Sequence, residues 1–380
     1  SFKRFEESIE IFRSNKVDFI LHAGDLFDEA TPSQEVWLKT FECFSKNFGS
    51  LTELKKHEFF GEKCALVKGI PIIAIHGTHE HRGKDFANAL DVLEKGNCLV
   101  HLHAGFIELN KNGEKVFVHG LGGVPEKSAK AVLEKYSPKP IPNAVNLLLL
   151  HQSFTEFLPF DDDSIASLSL SDLPAGFDLI IDGHLHWTNE QKIDGKRFLL
   201  TGSAVFTQMK KLEAEHEKGV FLFETNEKKL EFIPFKNQRK LFYAKLSFEN
   251  AKPQEVVFAV KEKVNSFLSR DFELSPLVRI KIVGSLAKGF SQSDVVLDFS
   301  SYENKAVFSV TKNLVSEEFK KKIFDLKEKQ LEKKSIIQLG VDVLEKNVEE
   351  AGIVGLNSRE LFELLAVGEN DKAEILLLKE

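Results

Sequence analysis

Val17-Asp18-Phe19-Ile20-Leu21-His22-Ala23-Gly24-Asp25-Leu26-Phe27-Asp28 is the stretch on which the reading of this chain turns. The apolar run Val17 to Leu21 predicts a short buried strand, and the polar loop Gly24 to Pro32 follows it directly. The ends of strands are where an α/β sheet places its ligand-holding side chains, which makes Asp25 a candidate ligand. Gly24 lets the backbone approach closely without a side-chain clash. A lone Gly-Asp is usually no more than a turn. Its weight here comes from three other segments that end in the same way.

Ile70 to Ile75 reads as a second buried strand and leads to Gly77-Thr78-His79-Glu80. Asn146 to Leu150 reads as a third and ends at His151. Asp178 to Ile181 reads as a fourth and leads to Gly183-His184-Leu185-His186. Imidazoles two residues apart on extended chain point the same way. One carboxylate with several imidazoles suits manganese, iron or zinc, whereas an all-oxygen set would favour magnesium. A pair of such ions activates water and neutralises a phosphate under attack. A single histidine after a strand is more often structural; four such segments in this order are not expected by chance. His81 and Arg82, just past the second segment, are candidate contacts to a substrate phosphate, because the arginine fork matches phosphate geometry. His22 and His76 are read as packing or orienting groups. His101 and His103 imitate the Gly-His-Leu-His spacing without its glycine and are read as structural.

Around these segments the chain alternates helix and strand. Phe2, Phe5, Ile9 and Phe12 fall on one helical face, and Ser33 caps a helix carrying Val36, Phe41, Phe44 and Phe48. Asp85 to Lys95 reads as a helix stopped by Gly96. Phe106 to Leu109 and Lys115 to His119 alternate around Asn112-Gly113, a hairpin signal. The expected architecture is a layered α/β domain over residues 1–235. Residues 240–312 form a small α+β module, with strands Phe242 to Phe248, Leu277 to Val283 and Ala306 to Val310, and a helix Pro253 to Leu268. Residues 316–380 form a helical tail. Its apolar positions include Phe319, Ile323, Leu326, Ile337, Val341, Leu344 and Val348. Gly352 and Gly355 interrupt it, and Ser358 caps a last helix bearing Leu361, Leu364 and Leu365.

A net charge of −7 does not mark a nucleic-acid binder, but bound metal ions supply positive charge that composition omits. The run Lys320-Lys321-Lys322 is read as a solvated helix face. Cys43, Cys64 and Cys98 lack the paired spacing of a zinc ribbon and point to free thiols in a reducing compartment, the cytoplasm. No apolar run approaches the roughly 20 residues needed to span a bilayer, so no membrane role is expected.

Leu21-His22-Ala23-Gly24-Asp25-Leu26-Phe27-Asp28, Leu150-His151-Gln152 and Asp182-Gly183-His184-Leu185-His186 together resemble the calcineurin-like metallophosphoesterases. The nearest branch is that of the DNA-repair nucleases represented by bacterial SbcD and the meiotic-recombination-eleven nuclease. The resemblance covers about the first 235 residues well and the rest in general layout. It implies an αββα sandwich with a small capping domain and a helical tail. It also implies two divalent metal ions, manganese foremost. By motif, Asp25 would bridge both ions, His186 would bind the first, and His151 and His184 the second. His79 would contact the scissile phosphate and assist the leaving group, oriented by Glu80. The branch has asparagine where this chain has Thr78, whose shorter hydroxyl can still ligate a hard cation. Its first motif, Asp-x-His at the end of the first strand, would lie before Ser1, so the sequence reads as an N-terminally truncated chain of weak or no activity.

The function so implied is a DNA nuclease of double-strand-break repair, an exonuclease on duplex ends and endonuclease on single strands. The resemblance further implies a homodimer and an SbcC-type coiled-coil ATPase docked on the tail. The alternatives are a phosphodiesterase for a small molecule such as a cyclic nucleotide, and a non-catalytic binding protein that keeps the fold.

Overall fold

The computed structural model describes residues 2–58, 61–83, 86–158, 168–236, 238–316, 336–350, 356–366 and 368–377. The chain divides into two compact units: Ser1–Tyr243 with Phe272–Arg279, and Ala244–Asp271 with Ile280–Glu380.

The first unit opens with α1 (Phe2–Ser14), β1 (Ile20–Ala23) and α2 (Gln34–Ser45). The hairpin β2 (Leu51–Glu58) and β3 (Gly61–Lys68) follows, then β4 (Ile72–Ile75), α3 (Ala89–Lys95) and β5 (Val100–His101). After them come β6 (Gly105–Lys111), β7 (Glu114–Leu121), α4 (Glu126–Tyr136), β8 (Val145–Leu150) and β9 (Leu179–Asp182). The unit continues with β10 (Thr188–Ile193), β11 (Lys196–Thr201), α5 (Lys211–Glu215), β12 (Gly219–Glu224) and β13 (Lys229–Pro234). One sheet has the order β1-β4-β5, all parallel. The other has eight strands in the order β10-β11-β9-β8-β7-β6-β2-β3.

Period-two alternation along the strands stacks these sheets between helices. Leu147, Leu149, Leu179 and Ile181 pack with Ile73 and Ile75 in a core between the sheets. Their neighbours Leu148, Leu150 and Ile180 face the other way, onto Ala129 and Leu133 of α4. On the far side of the small sheet, Ile20, Ile72 and Ala74 pack against Ile9, Phe44, Leu90 and Leu93 of α1, α2 and α3. The order of layers is therefore helix, sheet, sheet, helix. Among the described residues β1 is bonded only to β4 and β12 only to β13. Both line one cavity of about 2400 Å³, together with Phe19, Ile181, Leu199 and Leu230.

Boundaries moved where a polar group intervened. The helix expected from Asp85 begins at Ala89, because Asn88 accepts the amide of Leu90 at 2.9 Å and the Asp91 carboxylate accepts the amide of Asn88 at 2.8 Å. The first strand starts at Ile20 instead of Val17, and the fourth ends on Asp182. Asn112 and Gly113 both have positive φ, the two-residue turn expected of the hairpin.

The second unit holds a sheet of order β14-β15-β16, from β14 (Leu241–Ala251), β15 (Leu277–Leu286) and β16 (Val307–Ser316). Its helix α6 (Pro253–Phe267) starts on a proline and buries Val256, Val260 and Val264 along one face. Three tail helices are described, α7 (Ile336–Glu350), α8 (Ser358–Ala366) and α9 (Asn370–Leu377), where two were expected over residues 316–378. The extra break falls at Gly368, with φ +80, whose amide reaches Leu365 O at 3.2 Å. Asn357, not Ser358, caps α8, accepting the amide of Glu360 at 3.2 Å. A β-carbon at Gly340 would lie 2.4 Å from the Phe362 ring, so α7 and α8 meet at a glycine. Phe319, Lys320–Lys322, Ile323, Leu326, Gly352 and Gly355 lie outside the described residues. No described helix is long and apolar enough to cross a membrane.

Candidate metal centre

The loops after β1 and β4 of one sheet meet the ends of β8 and β9 of the other. Asp25 sits at φ +55, directly after Gly24 at φ +93. A β-carbon on Gly24 would lie 2.4 Å from Nδ1 of His151, and one on Gly77 would lie 2.0 Å from Oδ1 of Asp25. Only hydrogen fits at either place, the close approach that glycine permits.

Asp25 Oδ1 accepts the amide of His79 at 3.0 Å, and Oδ2 stands 3.1 Å from Nε2 of His151. His151 is fully buried. Its Nδ1 lies 2.7 Å from the carbonyl of Ala23 and donates to it, so Nε2 is the nitrogen that faces Asp25 and would turn to a metal. Nδ1 of His184 lies 3.2 Å from that same Nε2. Ligand atoms of Asp25, His151 and His184 all fall within 4.8 Å of one another.

Burial and the nearby His151 push His184 down to about 4, which keeps its ring neutral at ordinary pH. Burial works against ionising Asp25, but the His151 hydrogen bond and charge hold its carboxyl below the usual range. One carboxylate oxygen converging with two imidazole nitrogens is a donor set that fits a borderline divalent cation.

The other expected residues are placed differently. His186 lies outside that triad; its Nδ1 contacts the Thr207 hydroxyl and stands 3.6 Å from Glu213 Oε1. His79 is exposed, with Nδ1 2.9 Å from the carbonyl of Asp28, and that hydrogen bond raises its pKa. Thr78 is half-buried in the same loop, and its carbonyl accepts the amide of His81 at 3.4 Å.

Glu80 departs from the expected arrangement. Its carboxylate accepts the amides of Phe27 at 2.9 Å and Gly77 at 2.8 Å, so it grips the backbone of two loops instead of the His79 ring. The exposed His81 ring lies tilted to that of His76, at 6.0 Å between centroids. The Arg82 guanidinium is tied within its own loop, donating to Ala87 O at 3.2 Å and lying over Phe86. His101 has both ring nitrogens engaged, one 2.9 Å from His76 and the other 2.7 Å from Asp91. His103 accepts the amide of Gly122 at 3.2 Å.

Four supporting residues were given no role in the sequence reading. Asp182 is fully buried and accepts the amides of Gln152 at 2.8 Å and His184 at 3.1 Å, fastening two ligand segments together. Burial pushes its carboxyl up to about 7. Its signal was visible, an acid closing an apolar strand just before Gly183. Glu126 Oε1 stands 3.8 Å from Nε2 of His184. Glu213 and Lys218, beside His186, sit in a polar segment that no periodicity marks.

Residues 1–188 match the calcineurin-like phosphoesterase family. The chain is 29% identical over 265 residues to the DNA double-strand break repair protein Mre11 of Methanopyrus kandleri, covering 64% of this chain and 54% of that one. It is 25% identical over 322 residues to the Mre11 of Sulfolobus acidocaldarius, covering 82% and 78%. The double-strand break repair protein MRE11 of Macaca fascicularis is 27% identical over 297 residues, covering 66% of this chain and 40% of that one. The chain thus spans about half the length of the first of these relatives and less of the third.

Proposed function

Since residues 1–188 are a calcineurin-like phosphoesterase domain of the Mre11/SbcD type, we propose that the protein is a metal-dependent DNA nuclease of double-strand-break repair. The observation that carries this reading is the cluster of Asp25, His151 and His184 at strand ends of two facing sheets. Asp25, His151 and His184 would hold one divalent ion, with Thr78 alongside, and Asp25 and His186 would contribute to a second. Manganese is the metal expected of such a mixed oxygen and nitrogen set. When bound, the ions supply Lewis acidity that neutralises the phosphate and activates water.

The chain's own residues do the rest. His151 presents Nε2 because the Ala23 carbonyl occupies Nδ1. His79, whose pKa is raised by the hydrogen bond from Nδ1 to the Asp28 carbonyl, would in its imidazolium form meet the phosphate through Nε2–H and pass that proton to the leaving oxygen. Glu80 fixes both loops from below. His81 and Arg82 lie next along the chain and would meet the DNA backbone. The proposal extends to exonuclease action on duplex ends and endonuclease action on single strands.

Residues 240–312 would form the capping module, the tail 316–380 would dock an SbcC-type coiled-coil ATPase, and the protein would act as a homodimer. Cys43, Cys64 and Cys98 are free thiols, which supports a cytoplasmic setting. The test is degradation of linear duplex DNA with Mn²⁺ by the full-length protein, abolished by EDTA. Intact DNA under saturating Mn²⁺ would overturn the proposal.

A further inference from the structure

We propose that Glu213 and Lys218 are a buried positioning pair that fixes the ring and backbone of His186, presenting its Nε2 as the metal-binding atom. The inference rests on the reading of His186 as a ligand and goes beyond it to the residues that make it one.

Glu213 and Lys218 are each 1% exposed, and their charged ends lie 3.0 Å apart. Burying two ions costs several kcal/mol before their attraction offsets it, and an apolar pair of the same size often serves a fold as well. The partners of this pair show what the charges do. Lys218 Nζ donates to the His186 carbonyl at 2.5 Å and to Ser203 Oγ at 2.9 Å. Glu213 Oε1 stands 3.6 Å from His186 Nδ1 and accepts the Gln208 amide at 2.9 Å and the Thr207 hydroxyl at 3.2 Å. That hydroxyl in turn contacts His186 Nδ1. One member of the ion pair therefore grips the backbone of His186 and the other its ring.

The consequence is a choice of tautomer. With Nδ1 facing an anionic carboxylate and a hydroxyl held by it, the ring keeps its proton on Nδ1 and leaves the Nε2 lone pair free. His184, two residues earlier, is used the opposite way round, its Nδ1 facing His151. Two histidines of one short motif thus present different nitrogens, and Glu213 is the group that sets the second.

The test uses the whole chain. Ring nitrogen spectra of ¹⁵N-histidine-labelled protein, with His186→Ala for assignment, report the tautomer without any metal. The Nδ1-protonated form is expected in the wild type; the Nε2-protonated form would overturn the proposal. Glu213→Gln with Lys218→Met removes both charges at similar volume. This double variant should keep its circular dichroism and melting transition, lose the fixed tautomer, and bind Mn²⁺ about 10–100-fold more weakly by calorimetry. If it unfolds, Glu213→Gln alone carries the same two readouts. Wild-type affinity and an unchanged ring spectrum in either variant would overturn the positioning role while leaving the metal reading intact. Wild-type affinity in His186→Ala would instead remove His186 from the ligands, and the proposal with it.

Discussion

Nε2 of His151 lies 3.1 Å from Oδ2 of Asp25, although one residue follows a strand of the large sheet and the other a strand of the small one. The contact closes the gap between the two sheets at their ligand-bearing ends. It also orders the chemistry: the Ala23 carbonyl occupies one side of the imidazole, and Asp25 and His184 converge on the other.

Glu80 holds that geometry from a fully buried position. Glu80→Ala leaves the amides of Phe27 and Gly77 without acceptors, which is expected to destabilise the protein by about 2–4 kcal/mol in chemical denaturation. Glu80→Gln keeps one acceptor oxygen and should cost about half as much. Equal stability of the alanine variant and the wild type would show that the two loops do not depend on this carboxylate.

His119 gives the fold a pH dependence away from the metal centre. Its ring is buried between Phe106 and Phe177, and its Nε2 has no hydrogen-bond partner among the described residues. Burial pulls it down from 6.5 to about 4. The unfolded chain therefore binds a proton between those values that the folded one refuses, and stability falls as pH drops from 6.5 towards 4. The loss from this residue reaches about 3 kcal/mol at the acid end. His119→Phe should flatten the acid limb of a urea-midpoint profile and leave neutral stability unchanged or raised. An unaltered profile would place the titration elsewhere.

Much of this was legible because the ligand segments sit on buried strands whose apolar runs are continuous. Val145–Leu150 and its neighbours announce themselves, and the glycines beside Asp25 and before His79 mark where backbones must nearly touch. What stayed hidden follows from the same physics. The β2–β3 hairpin is largely polar and half-exposed, so no apolar run marks it. Glu213 and Lys218 are buried charges, which look like surface in a sequence and become interior only through pairing. Glu80 was placed in the right loop, but its side chain turned to backbone amides that no spacing reveals.

Calorimetric titration of Mn²⁺ into the wild type and three variants tests the central assignment most directly. Asp25→Ala and His184→Ala each remove a member of the triad and are expected to lower manganese affinity by at least 10-fold. His79→Ala, whose ring lies outside the triad, should bind manganese as the wild type does. Wild-type uptake by both Asp25→Ala and His184→Ala would contradict the assignment of this cluster as the metal centre.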